Sequence, residues 1–214
     1  ETDFVAKNSE FQEMVNTILE ASIKQDSLAK VLVSDIEGKM IEDILIEKVA
    51  SIGEKISLRR FKKLDFDFIV SYVHNSVSKN LGKIGVLVAL SSNDEEFGKQ
   101  IAMHIAACNP LALNESELPK SILDREKRVY LDQAKESGKP PEVIESMVKG
   151  KLNKFINEVT LLNQNFVLEP DSKICDVLNR KAIEILGYIR FEVGEGIEKP
   201  VDDFAEEVKK TASN

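Results

Sequence analysis

The spacing of apolar residues along this chain switches from helical to alternating and back, which commits it to a mixed fold. Phe11, Met14, Val15, Ile18, Leu19 and Ile23 recur at the i, i+3, i+4 spacing of one helix face. Ile41, Ile44, Leu45, Val49 and Ile52 repeat that spacing, and Gly53 then offers the left-handed residue that closes a helix cheaply. From residue 56 the period falls to two. Residues 56–61 and 66–73 read as strands; in the second, Phe66, Phe68, Val70 and Tyr72 share one face and Asp67, Ile69, Ser71 and Val73 the other. Residues 79–83 read as a polar turn and 84–90 as a β-branched apolar strand. Asn93 or Asp94 then caps a helix striped by Phe97, Ile101, Ile105 and Cys108 and ended by Pro110.

The ends of the pattern are less regular. Residues 1–8 carry no period, and Ser9 with Gln12 reads as a capping box for the first helix. Residues 117–158 set apolar positions in dense mixed charge, broken by Ser137-Gly138-Lys139-Pro140-Pro141. They read as two antiparallel helices, each arm of about 16 residues spanning about 24 Å. Residues 159–162 and 166–168 read as strands, 174–186 as a helix, 187–193 as a strand, Gly194-Glu195-Gly196 as a turn and 201–210 as a short helix. Strands and helices cluster without strict βαβ alternation, so the expected class is α+β: antiparallel sheets with helices packed on one side in a two-part core, plus an inserted antiparallel helical hairpin. The expected parts are residues 1–67, residues 68–112 with 162–196, the hairpin 113–161, and a terminal helix module 197–214.

Charge narrows the function. There are 37 acids against 29 bases, a formal charge of −8, which argues against a dedicated nucleic-acid binder. No apolar run approaches the roughly 20 residues of a membrane span, and no apolar leader opens the chain. Cys108 and Cys175 form no C-x-x-C pair and fit a reduced cytoplasmic or organelle interior. Phosphate-loop, dinucleotide and zinc-protease motifs are missing, and His74 and His104 are the two histidines. No constellation supports catalysis, a metal or a cofactor, so a binding protein is expected and not an enzyme. An adaptor working through the hairpin is the alternative.

A set of motifs sharpens this. Thr2-Asp3-Phe4-Val5-Ala6-Lys7-Asn8 opens the chain, then Ile52-Gly53-Glu54 precedes Ile56-Ser57-Leu58-Arg59-Arg60. Ser71-Tyr72-Val73-His74, Ile84-Gly85-Val86-Leu87-Val88-Ala89 and Ala102-Met103-His104-Ile105-Ala106-Ala107 follow. Ser137-Gly138-Lys139-Pro140, Phe166-Val167-Leu168-Glu169-Pro170 and the run from Arg190 to Lys199 complete the order. Together they resemble the elongation factor Ts family, the guanine-nucleotide exchange factors of elongation factor Tu. Family members carry a small helical domain before the first motif, and the sequence as given starts at that motif. The resemblance implies weaker binding without that domain.

The resemblance also implies roles. Thr2, Asp3, Phe4 and Val5 would intrude beside the magnesium and nucleotide site of elongation factor Tu. Against this stands a packing role, with Phe4 on the first helix and Asp3 at its positive end. Ile52 and Gly53, an exposed helix corner, would meet the partner's nucleotide-binding domain. His74, read as a strand-end residue, would contact the partner nearby, whereas His104 reads as a packed core histidine. Val167 and Leu168 sit in an apparent strand, where alternation lets one of them face outward to dock. Phe204 and Val208 would finish the terminal helix on the partner. In the family the hairpin can serve a homodimer; its mixed charge fits that or a solvated insertion.

Overall fold

Asn8, not Ser9, starts the first long helix. Its side-chain oxygen accepts the backbone N–H groups of Glu10 at 2.8 Å and Phe11 at 3.2 Å, satisfying donors that a helix start leaves free. The capping-box reading is therefore one residue late. In the computed structural model, which describes residues 3–197, residues before Asn8 also form a helix, α1 (Asp3–Lys7), where no period was expected. Thr2, Phe204, Val208 and the expected helix 201–210 lie outside the described residues.

After α1 come α2 (Ser9–Ser22), α3 (Leu28–Leu32), the short hairpin β1 (Asp35–Ile36) and β2 (Lys39–Met40), and α4 (Ile41–Ile52). Gly53 closes α4 at φ 79° and donates to the Val49 carbonyl, as its sequence position suggests. Met14, Ile18, Val31, Ile41 and Leu45 make one apolar cluster, with Ile56, Leu58 and Phe61 packed against it.

The expected strand at 56–61 is absent; residues 54–67 run as irregular chain. Alternation there reports an extended backbone with inward apolar residues, not ladder pairing. The segment bonds through side chains instead. Arg60 reaches Glu195 and the Glu192 carbonyl, and its guanidinium lies 4.6 Å from the centre of the Phe191 ring. Arg59 donates to the Glu195 carbonyl.

The sheet that follows has the order β3-β4-β7, all antiparallel, from β3 (Phe68–Ser78), β4 (Leu81–Leu90) and β7 (Ile185–Glu192). The turn is shorter than the expected 79–83 because Asn80, at φ 63°, makes a tight reversal. Helix α5 (Glu95–Cys108), capped by Asp94, covers the face bearing Val70, Val86, Val88 and Leu90. Gly98 permits this approach, since a Cβ there would sit 2.4 Å from Val70 Cγ2. Of the expected stripe, Phe97, Ile101 and Ile105 are buried, while Cys108 is exposed at the helix end.

Helices α6 (Lys120–Lys135) and α7 (Pro141–Val159) lie side by side. Lys151 of α7 donates to Gln133 and sits 5.6 Å from the Tyr130 ring centre, while Leu123 clusters with Leu152, Phe155 and Ile156. The chain returns through β5 (Asn165–Phe166), β6 (Glu169–Lys173) and α8 (Ile174–Lys181). No strand forms at 159–162, where α7 ends and a single 3-10 turn follows. The expected helix 174–186 stops at Lys181 because Ala182 turns left-handed at φ 54°. Ile183 and Ile185 then enter the sheet core. The class is α+β, with helices and antiparallel sheets.

Candidate functional site

The motif residues fall on two surfaces joined by the Arg60 clasp. On the first, Val5 turns inward and is buried, while Phe4 is 85% exposed. The helix presenting Phe4 is held from behind. Gln12 donates to the Ala6 carbonyl at 2.8 Å, and Asn8 donates its N–H to the Val5 carbonyl. Phe4 therefore does not pack on α2, the role weighed against its partner contact. Ile52 is half-buried and Gly53 exposed at the end of α4, which an ion pair from Lys48 to Glu10 ties to α2.

On the second surface His74 is exposed within β3, not at its end. The strand runs on to Ser78 because β4 supplies partners as far as Leu81. The Tyr72 hydroxyl lies 3.0 Å from His74 Nδ1, steadying the ring on the same face. Asn75, at φ 50°, bends the strand just beyond.

Val167 and Leu168 do not form a strand with one residue turned inward. They are the two-residue turn joining β5 to β6, and both are exposed, at 42% and 51%. The alternation is interrupted because the chain reverses there. Phe166 alone turns inward, 1% exposed, edge-on to Phe97 with ring centres 6.4 Å apart.

Beneath this turn lies His104, fully buried as its sequence position suggested. The Val167 N–H donates to His104 Nδ1 at 3.3 Å, so that nitrogen carries no proton. Nε2–H then donates to Gln164 Oε1 at 2.9 Å, and Gln164 Nε2 donates to the Glu158 carbonyl at 2.8 Å. Burial is the main reason the His104 pKa lies below its usual 6.5. The sign follows. Above pH 6.5 the ring is neutral folded or unfolded, and stability is fully present. Below 6.5 the unfolded chain takes up a proton that the folded chain resists, so stability falls until the lowered folded-state value is passed. The limiting slope is about 1.4 kcal/mol per pH unit. Urea unfolding at pH 7.5 and 5.5 should show this loss, and His104→Gln should reduce it. The carboxylates held low, Asp94 by the Phe97 N–H and Glu195 by Arg60, act in a separate window below their ordinary 3.8 and 4.5.

The clasp between the surfaces was not legible as such in the sequence, where the turn holding Glu195 read as a plain strand ending. Arg190, with its side chain 7% exposed, also pairs with Glu192 at 2.8 Å and reaches the Ala106 carbonyl of α5. Burial raises the Tyr188 hydroxyl to about 12, and it donates to the Pro110 carbonyl. Among the described residues no group of three or more His, Cys, Asp or Glu is placed to hold a metal, and no helix is long and apolar enough to cross a membrane.

A family model described as Elongation factor TS matches residues 1–195. An elongation factor Ts from Dinoroseobacter shibae is 51% identical over 211 residues, covering 99% of this chain and 72% of that protein. The chain belongs to the elongation factor Ts family. The elongation factor Ts of Ruegeria pomeroyi is 50% identical and that of a Jannaschia species 48%, each covering 99% of this chain and 73% of the relative. The match to the elongation factor Ts model takes in the motifs from the Phe4 helix through the Val167–Leu168 turn as far as Glu195 of the clasp.

Proposed function

We propose that the chain is a guanine-nucleotide exchange factor for elongation factor Tu, acting by linked binding. Family membership over residues 1–195 carries this reading. The factor prefers the nucleotide-free partner, so its binding weakens GDP, and by reciprocity GDP weakens the factor. Nothing is transformed chemically; the factor changes a release rate through a differential contact.

The mechanism begins at α1. Phe4 projects from an anchored helix and loses little freedom on contact, which favours a wedge over a loose tail. Thr2 and Asp3 accompany it beside the partner's magnesium and phosphate site, where the Asp3 carboxylate opposes phosphate charge; Val5, expected to intrude with them, is buried in the fold and does not. Ile52 and Gly53 meet the nucleotide-binding domain, His74 touches the partner beside it, Val167 and Leu168 dock on a second domain, and Phe204 and Val208 finish on the partner. Residues 1–67, 68–112 with 162–196, 113–161 and 197–214 act as the separate parts, with α6 and α7 as an inserted hairpin. The setting is the bacterial cytoplasm or an organelle interior. A match to the family along nearly the whole chain disfavours the adaptor reading. The test is affinity for elongation factor Tu without nucleotide and with GDP. The reading predicts much tighter binding to the empty form; equal affinities contradict it.

A further inference from the structure

The Val167–Leu168 turn is built from residues that suit turns poorly. Two-residue hairpin turns favour Asn-Gly or Gly-rich pairs because their central residues take positive φ. None of residues 165–173 has positive φ, and the turn carries a β-branched residue followed by leucine. The hairpin itself is slight. β5 is two residues long, and its pairing with β6 shifts register between Asn165 and Phe166. Such a hairpin has little stiffness of its own, and its two apolar tips stay about half exposed.

What holds it comes from α5. His104 accepts the Val167 N–H at 3.3 Å, and its ring cannot swing away because Nε2–H is engaged by Gln164 at 2.9 Å. Gln164 is itself fixed by the Glu158 carbonyl and, through its main chain, by Thr160 and Ile174. The ring also lies 5.9 Å from Phe166, the inward neighbour of the turn. A leucine at position 104 would fill the core without the cost of burying a polar ring. An imidazole there does something leucine cannot, which is to accept a backbone N–H at the base of an exposed turn.

We propose that His104 is a positioning residue for partner binding, holding the Val167–Leu168 turn in the shape that presents both apolar side chains outward. This rests on the reading that the turn docks on elongation factor Tu. Turn geometry is then set before contact, so binding does not have to order it. His104 itself stays buried and does not touch the partner.

The experiment compares the full chain with His104→Phe, His104→Asn and the double variant Val167→Ser/Leu168→Ser. Release of labelled GDP from elongation factor Tu is measured as a function of factor concentration, and amide exchange is followed at Val167. In the unaltered chain the Val167 N–H is expected to be protected despite its exposed position. His104→Phe cannot accept that N–H. It should expose the amide and raise the half-saturating concentration about tenfold, the scale of one lost hydrogen bond, with the plateau rate unchanged. His104→Asn places an oxygen near the Nδ1 position and should recover most of both effects. Rapid exchange at Val167 in the unaltered chain overturns the proposal even if the phenylalanine variant fails to fold. A folded His104→Phe with unaltered half-saturation overturns it too, provided the serine double variant binds weakly. If the double variant binds normally, the docking reading fails and the proposal fails with it.

Discussion

Replacing Phe4 with alanine is expected to slow factor-stimulated GDP release by about thirtyfold while leaving binding measurable and stability unchanged. The magnitude follows from the cost of truncating an aromatic anchor, about 2 kcal/mol or more, at a factor of ten in rate per 1.4 kcal/mol. The lack of a stability effect follows from exposure. Phe4 is 85% exposed and gives the fold almost no burial, whereas its neighbour Val5 is buried. Urea unfolding should superimpose for the two proteins. A Phe4→Ala chain with unaltered exchange rules out the wedge. One that loses exchange together with stability shows that Phe4 packs after all.

Phe97→Ala is expected to have the largest effect on stability. Phe97 is 1% exposed, stands edge-on to Phe166, and carries the Lys181 ammonium 4.8 Å from its ring centre. Emptying such a site costs about 3–5 kcal/mol, set against a total stability of about 5–15 kcal/mol for a typical protein. Denaturant unfolding should therefore shift to a much lower midpoint with an unchanged slope. Exchange should persist at low temperature and fail on mild warming, because Phe97 faces the core and not the partner. A loss below about 1 kcal/mol, the range of tolerated core swaps, would show that the α5–sheet cluster is not the main source of stability.

The sequence was most legible where one local cause decided the structure. Gly53 ends α4 because a left-handed residue is needed there, and glycine announces it. Phe97, Ile101 and Ile105 mark the buried stripe of α5 because helical spacing puts them on one side. It was least legible where spacing reports conformation but not pairing. Ile56 and Leu58 alternate like a strand, yet the segment bonds through Arg59 and Arg60 to a turn some 135 residues away. Val167 and Leu168 read as strand residues because their chemistry is strand-like; the turn comes from the pairing of Phe166 with Glu169 and is tied to a histidine on another element. His104 reads as core and is core, but apart from Cys108 one turn along α5 its partners are Gln164, Phe166 and Val167, to which no local pattern points. For the candidate site, the motifs supplied the candidate residues, and exposure and anchoring came from the fold.

Exchange activity is tested most directly by the release rate of labelled GDP from elongation factor Tu with and without this chain. The rate is expected to rise with factor concentration to a plateau well above spontaneous release. A rate that stays at the spontaneous value at saturating factor, with binding demonstrated in the same mixture, would contradict it.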